Sequence, residues 1–229
     1  MFTSVIIPAA GAGERMGGAV SKQFLSLHGK PIIVHTLERF QMCAAIDEIL
    51  IAIQPSGREQ MELLVKEFHL SKVSRIVDGG RRRQDSVSNA LVHVRAETEI
   101  VLVHDAVRPF IHQKAILASI EKARTHSAAV VAVRVKDTVK IGNQEGQFER
   151  TLDRSVLWAA QTPQAFAKDL LRQAYEKADR EEIEATDDSS LVELLHVRPA
   201  IVEGSFENIK ITTPDDLDFA SVLARRFHD

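Results

Sequence analysis

Val5-Ile6-Ile7-Pro8-Ala9-Ala10-Gly11-Ala12-Gly13-Glu14-Arg15-Met16 is the stretch on which the reading of this chain turns. Three consecutive β-branched residues make a short buried strand, and the run then collapses into residues with almost no side chain. Across Ala9, Ala10, Gly11 and Gly13, backbone N–H groups can approach a ligand closely, and glycine admits the positive φ of a tight turn. Arg15 follows directly and Lys22-Gln23-Phe24 a few residues later, so two cations border the small-residue loop. That combination suits a nucleoside triphosphate, although a plain strand-to-helix connection taken alone would show the same small residues.

Two better-known phosphate loops do not fit the letters. The dinucleotide pattern G-x-G-x-x-G fails at its sixth position, Met16, and the Walker pattern fails because Ala19 and Val20 follow Gly18 where Lys and Ser/Thr are required.

Outward from the loop, short β-branched runs alternate with amphipathic segments of helical length. Strands are predicted at Ser4–Pro8, Glu48–Gln54, Lys72–Asp78, Ile100–His104 and Ala128–Val135. Helices are predicted at Pro31–Gln41, Gly57–Phe68, Arg83–Ala96 and Gln113–His126, with Pro31 suited to a first helical position. The alternation implies an α/β fold, a three-layer α/β/α Rossmann-like arrangement with a mainly parallel twisted sheet. Ligands of such sheets sit beyond the carboxyl ends of the strands, which directs attention to the loops after Ile7, Val77, Val103 and Val135.

The 229 residues, 45% of them hydrophobic, suffice for one substantial core, and a single domain over 1–229 is expected. A net charge of −3 gives no general attraction to nucleic acid or to an anionic membrane, so selectivity for anions must come from locally placed cations. Cys43 is the only cysteine, which excludes an intramolecular disulfide or a cysteine metal cluster and leaves it a packing role. The histidines lack zinc-site spacing. Met1-Phe2-Thr3-Ser4 has no basic region, and the apolar run after it is too short for a signal peptide or a span, so a cytoplasmic protein is expected.

The alternation lapses between Asp137 and Thr162, where Gly142, Asn143 and Gly146 punctuate a polar segment. From pattern alone this is either an irregular insertion or a projecting β-hairpin arm at about 137–157; Phe148, Leu152, Val156 and Trp158, which need burial that another subunit could supply, favour the arm. Lys168–Arg180 and Asp187–Leu195 then read as helices, Val197–Glu203 and Glu207–Ile211 as strands, and Thr213 with Asp216 as the cap of a last helix.

In order along the chain stand Pro8-Ala9-Ala10-Gly11-x-Gly13-x-Arg15-Met16, Lys22-Gln23, Gly79-Gly80-x-x-Arg83-x-x-Ser86, His104-Asp105-Ala106-x-Arg108-Pro109, Asp137-Thr138, Arg154, Gln161-Thr162-Pro163-Gln164, Thr186-Asp187 and Asn208-Ile209-Lys210. With this ordered set the chain resembles the 2-C-methyl-D-erythritol 4-phosphate cytidylyltransferase family from its first strand to its last helix. The resemblance implies transfer of CMP from CTP to methylerythritol phosphate, with release of pyrophosphate, in isoprenoid biosynthesis.

It implies that Arg15 and Lys22 act on the triphosphate and that Arg154 and Lys210 position the acceptor phosphate. Ala9, Ala10, Gly11, Gly13, Gly80 and Ser86 would bind the nucleotide; Asp105, Ala106, Arg108, Thr138 and Thr186 would bind the acceptor. Mg²⁺ would be held mainly through CTP phosphates, with no protein ligand assigned. Arg154 lies on the arm, which in the family crosses to a partner, so a homodimer with a shared site is implied. In the Arg81-Arg82-Arg83 run, for which a solvated basic face is the default, only Arg83 matches the family's arginine, and Arg81 and Arg82 stay unassigned. Two rivals stand beside this reading: a ribitol 5-phosphate cytidylyltransferase, and a non-catalytic nucleotide-binding module, which should have lost at least one of Arg15, Lys22, Asp105, Arg154 or Lys210.

Overall fold

The computed structural model describes residues 1–11 and 21–227. Gly13 and Arg15, on which two of the site expectations rest, lie outside the described residues, as does the loop near Val20.

The chain begins with β1 (Phe2–Pro8), followed by a small antiparallel pair, β2 (Ser26–Leu27) and β3 (Lys30–Pro31). Helix α1 (Ile32–Gln41) leads to β4 (Glu48–Ile53), α2 (Arg58–Glu67), β5 (Val73–Asp78), α3 (Arg83–Leu91) and β6 (Thr98–Val103). Then come α4 (Gln113–His126), β7 (Ala128–Arg134), the hairpin β8 (Lys140–Gly142) and β9 (Phe148–Thr151), and β10 (Trp158–Ala167). The chain ends with α5 (Lys168–Arg180), α6 (Asp188–Glu193), β11 (Ala200–Glu203) and α7 (Pro214–Phe227).

Seven strands form one sheet in the order β11-β7-β10-β6-β1-β4-β5. The β1–β4, β1–β6, β4–β5 and β11–β7 pairs are parallel, and β10 runs antiparallel to both neighbours. Alternate side chains of each central strand enter opposite cores, as the period of two requires. Val5, Ile7, Ile49, Ile51 and Leu102 pack with α1, α2 and α4 on one face; Ile6, Leu50, Val101 and Val103 pack with α3, α5 and α6 on the other. Covering both faces is why β4 is buried along its whole length and reads as an unbroken apolar run. A third cluster seats α7 against Leu27, Ile32, Val107 and Phe110.

The expected mainly parallel α/β/α architecture is present, with four differences in detail. Strand β10 is inserted between β6 and β7; its polar letters Gln161-Thr162-Pro163-Gln164 hide it, and its register with β7 breaks between Ala160 and Gln164. Glu207–Ile211 forms no strand but a turn. Helix α3 stops at Leu91, five residues early, and Pro31 ends β3 with an extended ψ of 143° rather than opening α1. Cys43 is buried in the core as expected.

The arm is a hairpin. Asn143 Oδ1 accepts from the N–H groups of Glu145 (3.1 Å) and Gln147 (2.9 Å), and Gly146 takes φ +80°, which a side chain would resist. Phe148 is 76% and Val156 71% exposed, while Leu152 and Trp158 are half-buried. The last helix is capped by the expected pair: Asp216 Oδ2 accepts from Thr213 N (2.9 Å) and Thr213 Oγ1 accepts from Asp216 N (3.3 Å).

Candidate active site

Beyond the carboxyl ends of β1, β5 and β6 lies an open cleft of about 620 Å³. Pro8, Ala9, Ala10 and Gly11 form one side, Gly80, Arg81, Arg82, Arg83 and Ser86 another, and Asp105, Ala106 and Val107 the floor, with Lys22 and Lys210 at the margin. Its position matches the ligand crevice of a parallel sheet. Three of the four loops singled out from the sequence meet here. The fourth, after Val135, does not: Thr138 and Arg154 are exposed on the arm, line no part of this cleft, and Arg154 donates to Lys136 O at 2.6 Å.

The small residues are held in place from behind. Gln23, almost wholly buried, donates to Ala9 O (2.8 Å), and Gln54 donates to Ala10 O (3.0 Å). Ser86 donates to Arg82 O and accepts from Gly80 N, both at 3.0 Å, so its hydroxyl shapes the turn. Gly11 does not use the positive φ that glycine admits. The need for glycine falls instead on Gly79 and Gly80, where an added Cβ would lie 2.2 Å from Ala10 Cβ and 2.2 Å from Asp85 Cβ. Arg82, unassigned from sequence, has a structural role: its N–H donates to Asp85 Oδ2 (3.0 Å) and its side chain pairs with Oδ1 (2.6 Å), closing the start of α3.

At the floor, Asp105 gathers cations. Arg83 Nε reaches its Oδ1 at 3.1 Å, while Lys210 Nζ (2.9 Å) and Arg108 Nε (3.4 Å) share Oδ2. Burial alone would raise the carboxyl's pKa; the charges of Arg83, Lys210 and Arg108 overcome that and hold it well below the usual carboxylate range. Asp105 is therefore an anion at any physiological pH. Its N–H donates to Thr162 Oγ1 (3.0 Å), which also bonds His104 Nδ1 (3.1 Å), and His104 Nε2 meets Arg108 O (3.0 Å). Asn208 donates to Gln161 Oε1 (3.1 Å) and Thr162 O (2.9 Å), anchoring the turn that carries Lys210. Thr36 Oγ1 fixes the neighbouring floor residue by donating to Ala106 O at 2.9 Å.

Two further residues expected at the acceptor lie outside the lining. Arg108, expected to bind an acceptor, does not line the cleft; it lies beneath Asp105 and donates to Asn208 O at 2.7 Å. Thr186 is exposed and outside the lining, and the α6 cap is Asp187, whose Oδ1 accepts from Ser190 N (2.9 Å). Sequence reading passed over Thr162, Asn208 and Asp188 as functional groups. Their signal was polar letters inside buried runs, which only burial makes visible.

A glycine-tight cleft at the strand ends, rimmed by Lys22, Arg81, Arg83 and Lys210, on a mostly parallel sheet with a projecting hairpin, is the anion-binding crevice of a Rossmann-like α/β protein. Residues 3–226 match the family model for IspD, 2-C-methyl-D-erythritol 4-phosphate cytidylyltransferase. The chain belongs to that family. It is 44% identical to the enzyme so named from Syntrophus aciditrophicus, covering 96% of this chain and 95% of that one, and 45% identical to that from Geobacillus kaustophilus, covering 99% of each. Among solved structures, 4-diphosphocytidyl-2C-methyl-D-erythritol synthase from Anaerococcus prevotii superposes with a TM-score of 0.87 at 33% identity, covering 98% of this chain and 96% of that one. The cytidylyltransferase from Thermus thermophilus gives 0.81 at 34% identity, covering 98% and 100%.

Proposed function

We propose that the chain transfers CMP from CTP to 2-C-methyl-D-erythritol 4-phosphate, giving 4-diphosphocytidyl-2-C-methyl-D-erythritol and pyrophosphate. The observation that carries this reading is the cleft floor, where three cations surround one carboxylate beside a small-residue loop. An acceptor phosphate oxygen attacks the α-phosphorus of CTP, the bond to the bridging oxygen breaks, and the electron pair leaves with pyrophosphate. Negative charge accumulates about one phosphorus, so fixed cations supply most of the catalysis. The acceptor monoester, with a second pKa of about 6, is largely dianionic at neutral pH and needs no general base.

Ala9, Ala10, Gly11, Gly80 and Ser86 form the nucleotide side of the cleft, Lys22 meets the triphosphate, and Arg15 joins it by its place in the family pattern. Asp105, Ala106 and Lys210 form the acceptor side. Within the described lining Asp105 is the one acidic side chain, and both its oxygens face cations. A divalent ion, Mg²⁺ in this reading, would therefore take its ligands from the triphosphate and shield the leaving pyrophosphate.

The arm completes the reading. Its exposed Phe148 and Val156, and the absence of Thr138 and Arg154 from the lining of their own cleft, support a homodimer in which each arm delivers those two residues to the partner's site. The enzyme works as one domain in the cytoplasm; no helix among the described residues is long and apolar enough to cross a membrane.

The test is pyrophosphate release by the purified protein with CTP and Mg²⁺, comparing methylerythritol phosphate, ribitol 5-phosphate and no acceptor. Release with the first alone is expected. Release with ribitol 5-phosphate alone would reassign the acceptor, and release with neither would overturn the catalytic reading. Mixing inactive Arg154→Ala and Lys210→Ala proteins should restore about a quarter of the turnover if the arms cross, since mixed dimers hold one intact site.

A further inference from the structure

Behind the cleft floor the cation cluster continues into the core. Arg83, on the first turn of α3, divides its guanidinium between two carboxylates: Nε meets Asp105 Oδ1 at 3.1 Å and NH1 meets Asp188 Oδ2 at 2.8 Å. Asp188 opens α6 and is 1% exposed. Its second oxygen accepts a 2.5 Å hydrogen bond from Tyr175 Oη on α5. Burial and the neighbouring Asp188 charge push the Tyr175 hydroxyl well above the usual phenol range, so it stays a donor. Tyr175, Asp188, Arg83 and Asp105 thus form one continuous line from the α5–α6 layer to the cleft.

A buried charge on this scale is costly unless it fixes something. The guanidinium is a rigid fork that pairs side-on with both oxygens of a carboxylate when nothing else restrains it. Here Asp188 occupies one arm of the fork, so Arg83 engages a single oxygen of Asp105. The other oxygen holds Lys210 at 2.9 Å and, more loosely, Arg108 at 3.4 Å; Lys210 is 38% exposed and lies at the cleft edge, whereas Arg108 lies outside the lining. Formal charges agree: Arg83, Arg108 and Lys210 against Asp105 and Asp188 leave one positive charge, enough to attract a phosphate without the cations driving one another apart.

We propose that Asp188, backed by Tyr175, is a positioning residue that keeps Arg83 on one oxygen of Asp105 and so leaves the other to Lys210, the cation that meets the acceptor's phosphate, and to Arg108 beneath it. The idea rests on the cytidylyl-transfer reading and adds the device that sets the acceptor cation. Neither Asp188 nor Tyr175 touches a reacting atom. Without Asp188, Arg83 swings side-on to Asp105 and displaces Lys210.

The experiment is steady-state kinetics of Asp188→Asn and Tyr175→Phe in the full chain, varying CTP and methylerythritol phosphate separately, with a thermal melt of each. Asp188→Asn should raise the acceptor KM about tenfold or more while the CTP KM stays within about threefold, because a displaced positioning group acts on the one substrate it orients. Tyr175→Phe should shift the acceptor KM the same way by a smaller factor. A merely structural role lowers the melting temperature and leaves both KM values alone, and that result overturns the proposal. Should Asp188→Asn fail to fold, an unshifted acceptor KM in Tyr175→Phe overturns it equally. Wild-type protein without acceptor turnover would overturn the functional reading and this proposal together; wild-type turnover with unshifted variants would overturn this one alone.

Discussion

Two carboxylates are buried toward opposite ends of the same sheet, and their partners differ in kind. Glu48, at the start of β4, accepts from Ser4 Oγ (2.8 Å) and Ser74 Oγ (2.7 Å) and meets one cation, Arg95, at 3.3 Å. Asp105, just past the end of β6, meets Arg83, Arg108 and Lys210. Around Glu48 the charge is matched and the hydroxyls are satisfied, leaving nothing to offer a ligand. Around Asp105 positive charge exceeds what one carboxylate needs, and the excess borders a cleft. A buried anion with balanced partners holds strands together; one with surplus cations marks a site for a second anion.

The comparison can be broken at the cleft end first. Lys210→Ala should lower turnover by about 10² to 10³, the scale for removing one preorganised charge, with little change in melting because the side chain is partly exposed. Turnover near the wild-type value would show that the surplus cation has no catalytic use.

A pH titration sharpens the contrast by acting on the network beneath Asp105. Burial pushes His104 down to about 4, against the upward pull of its hydrogen bond to the Arg108 carbonyl. Because its folded pKa lies below the ordinary 6.5, the unfolded chain takes up the proton first. The stability His104 contributes is whole above pH 6.5 and falls by on the order of 3 kcal/mol as pH drops to 4. Urea denaturation across that window should show the slope, and His104→Gln should flatten it; equal slopes in the two proteins would refute it.

The smallest effect belongs to the other end. Glu48→Gln should cost about 1 to 3 kcal/mol of stability, through the buried hydroxyl bonds and the Arg95 pair, and leave the kinetic constants of the folded enzyme unchanged. Altered acceptor kinetics in that variant would erase the distinction between the two ends.

How far the sequence reached follows the same divide. Parallel strands buried on both faces announce themselves as apolar runs, so β1, β4, β6 and β7 were legible, and the loops after β1, β5 and β6, singled out with them, form the cleft. Strand β10 was not, because it trades apolar side chains for Gln161, Thr162 and Gln164, which bond the turn of Asn208 and the start of α6. Lys22, Gly80, Ser86, Asp105, Ala106 and Lys210, singled out because each type suits phosphate or close backbone approach, all line the cleft. Arg108 stands in the same motif but lies outside the lining, paired with Asp105, because letters do not say whether an arginine faces a cleft or the carboxylate at its floor. Asp188 and Tyr175 were missed because their meaning is wholly tertiary: an acid at a helix start reads as a cap until the arginine it holds is seen.

The most direct test of the central claim is acceptor-dependent pyrophosphate release by Asp105→Asn, measured beside Glu48→Gln at equal folded fraction. The account predicts a loss of about a hundredfold or more for Asp105→Asn, because three cations lose the anion that arranges them, and wild-type turnover for Glu48→Gln. Wild-type turnover in Asp105→Asn would contradict it.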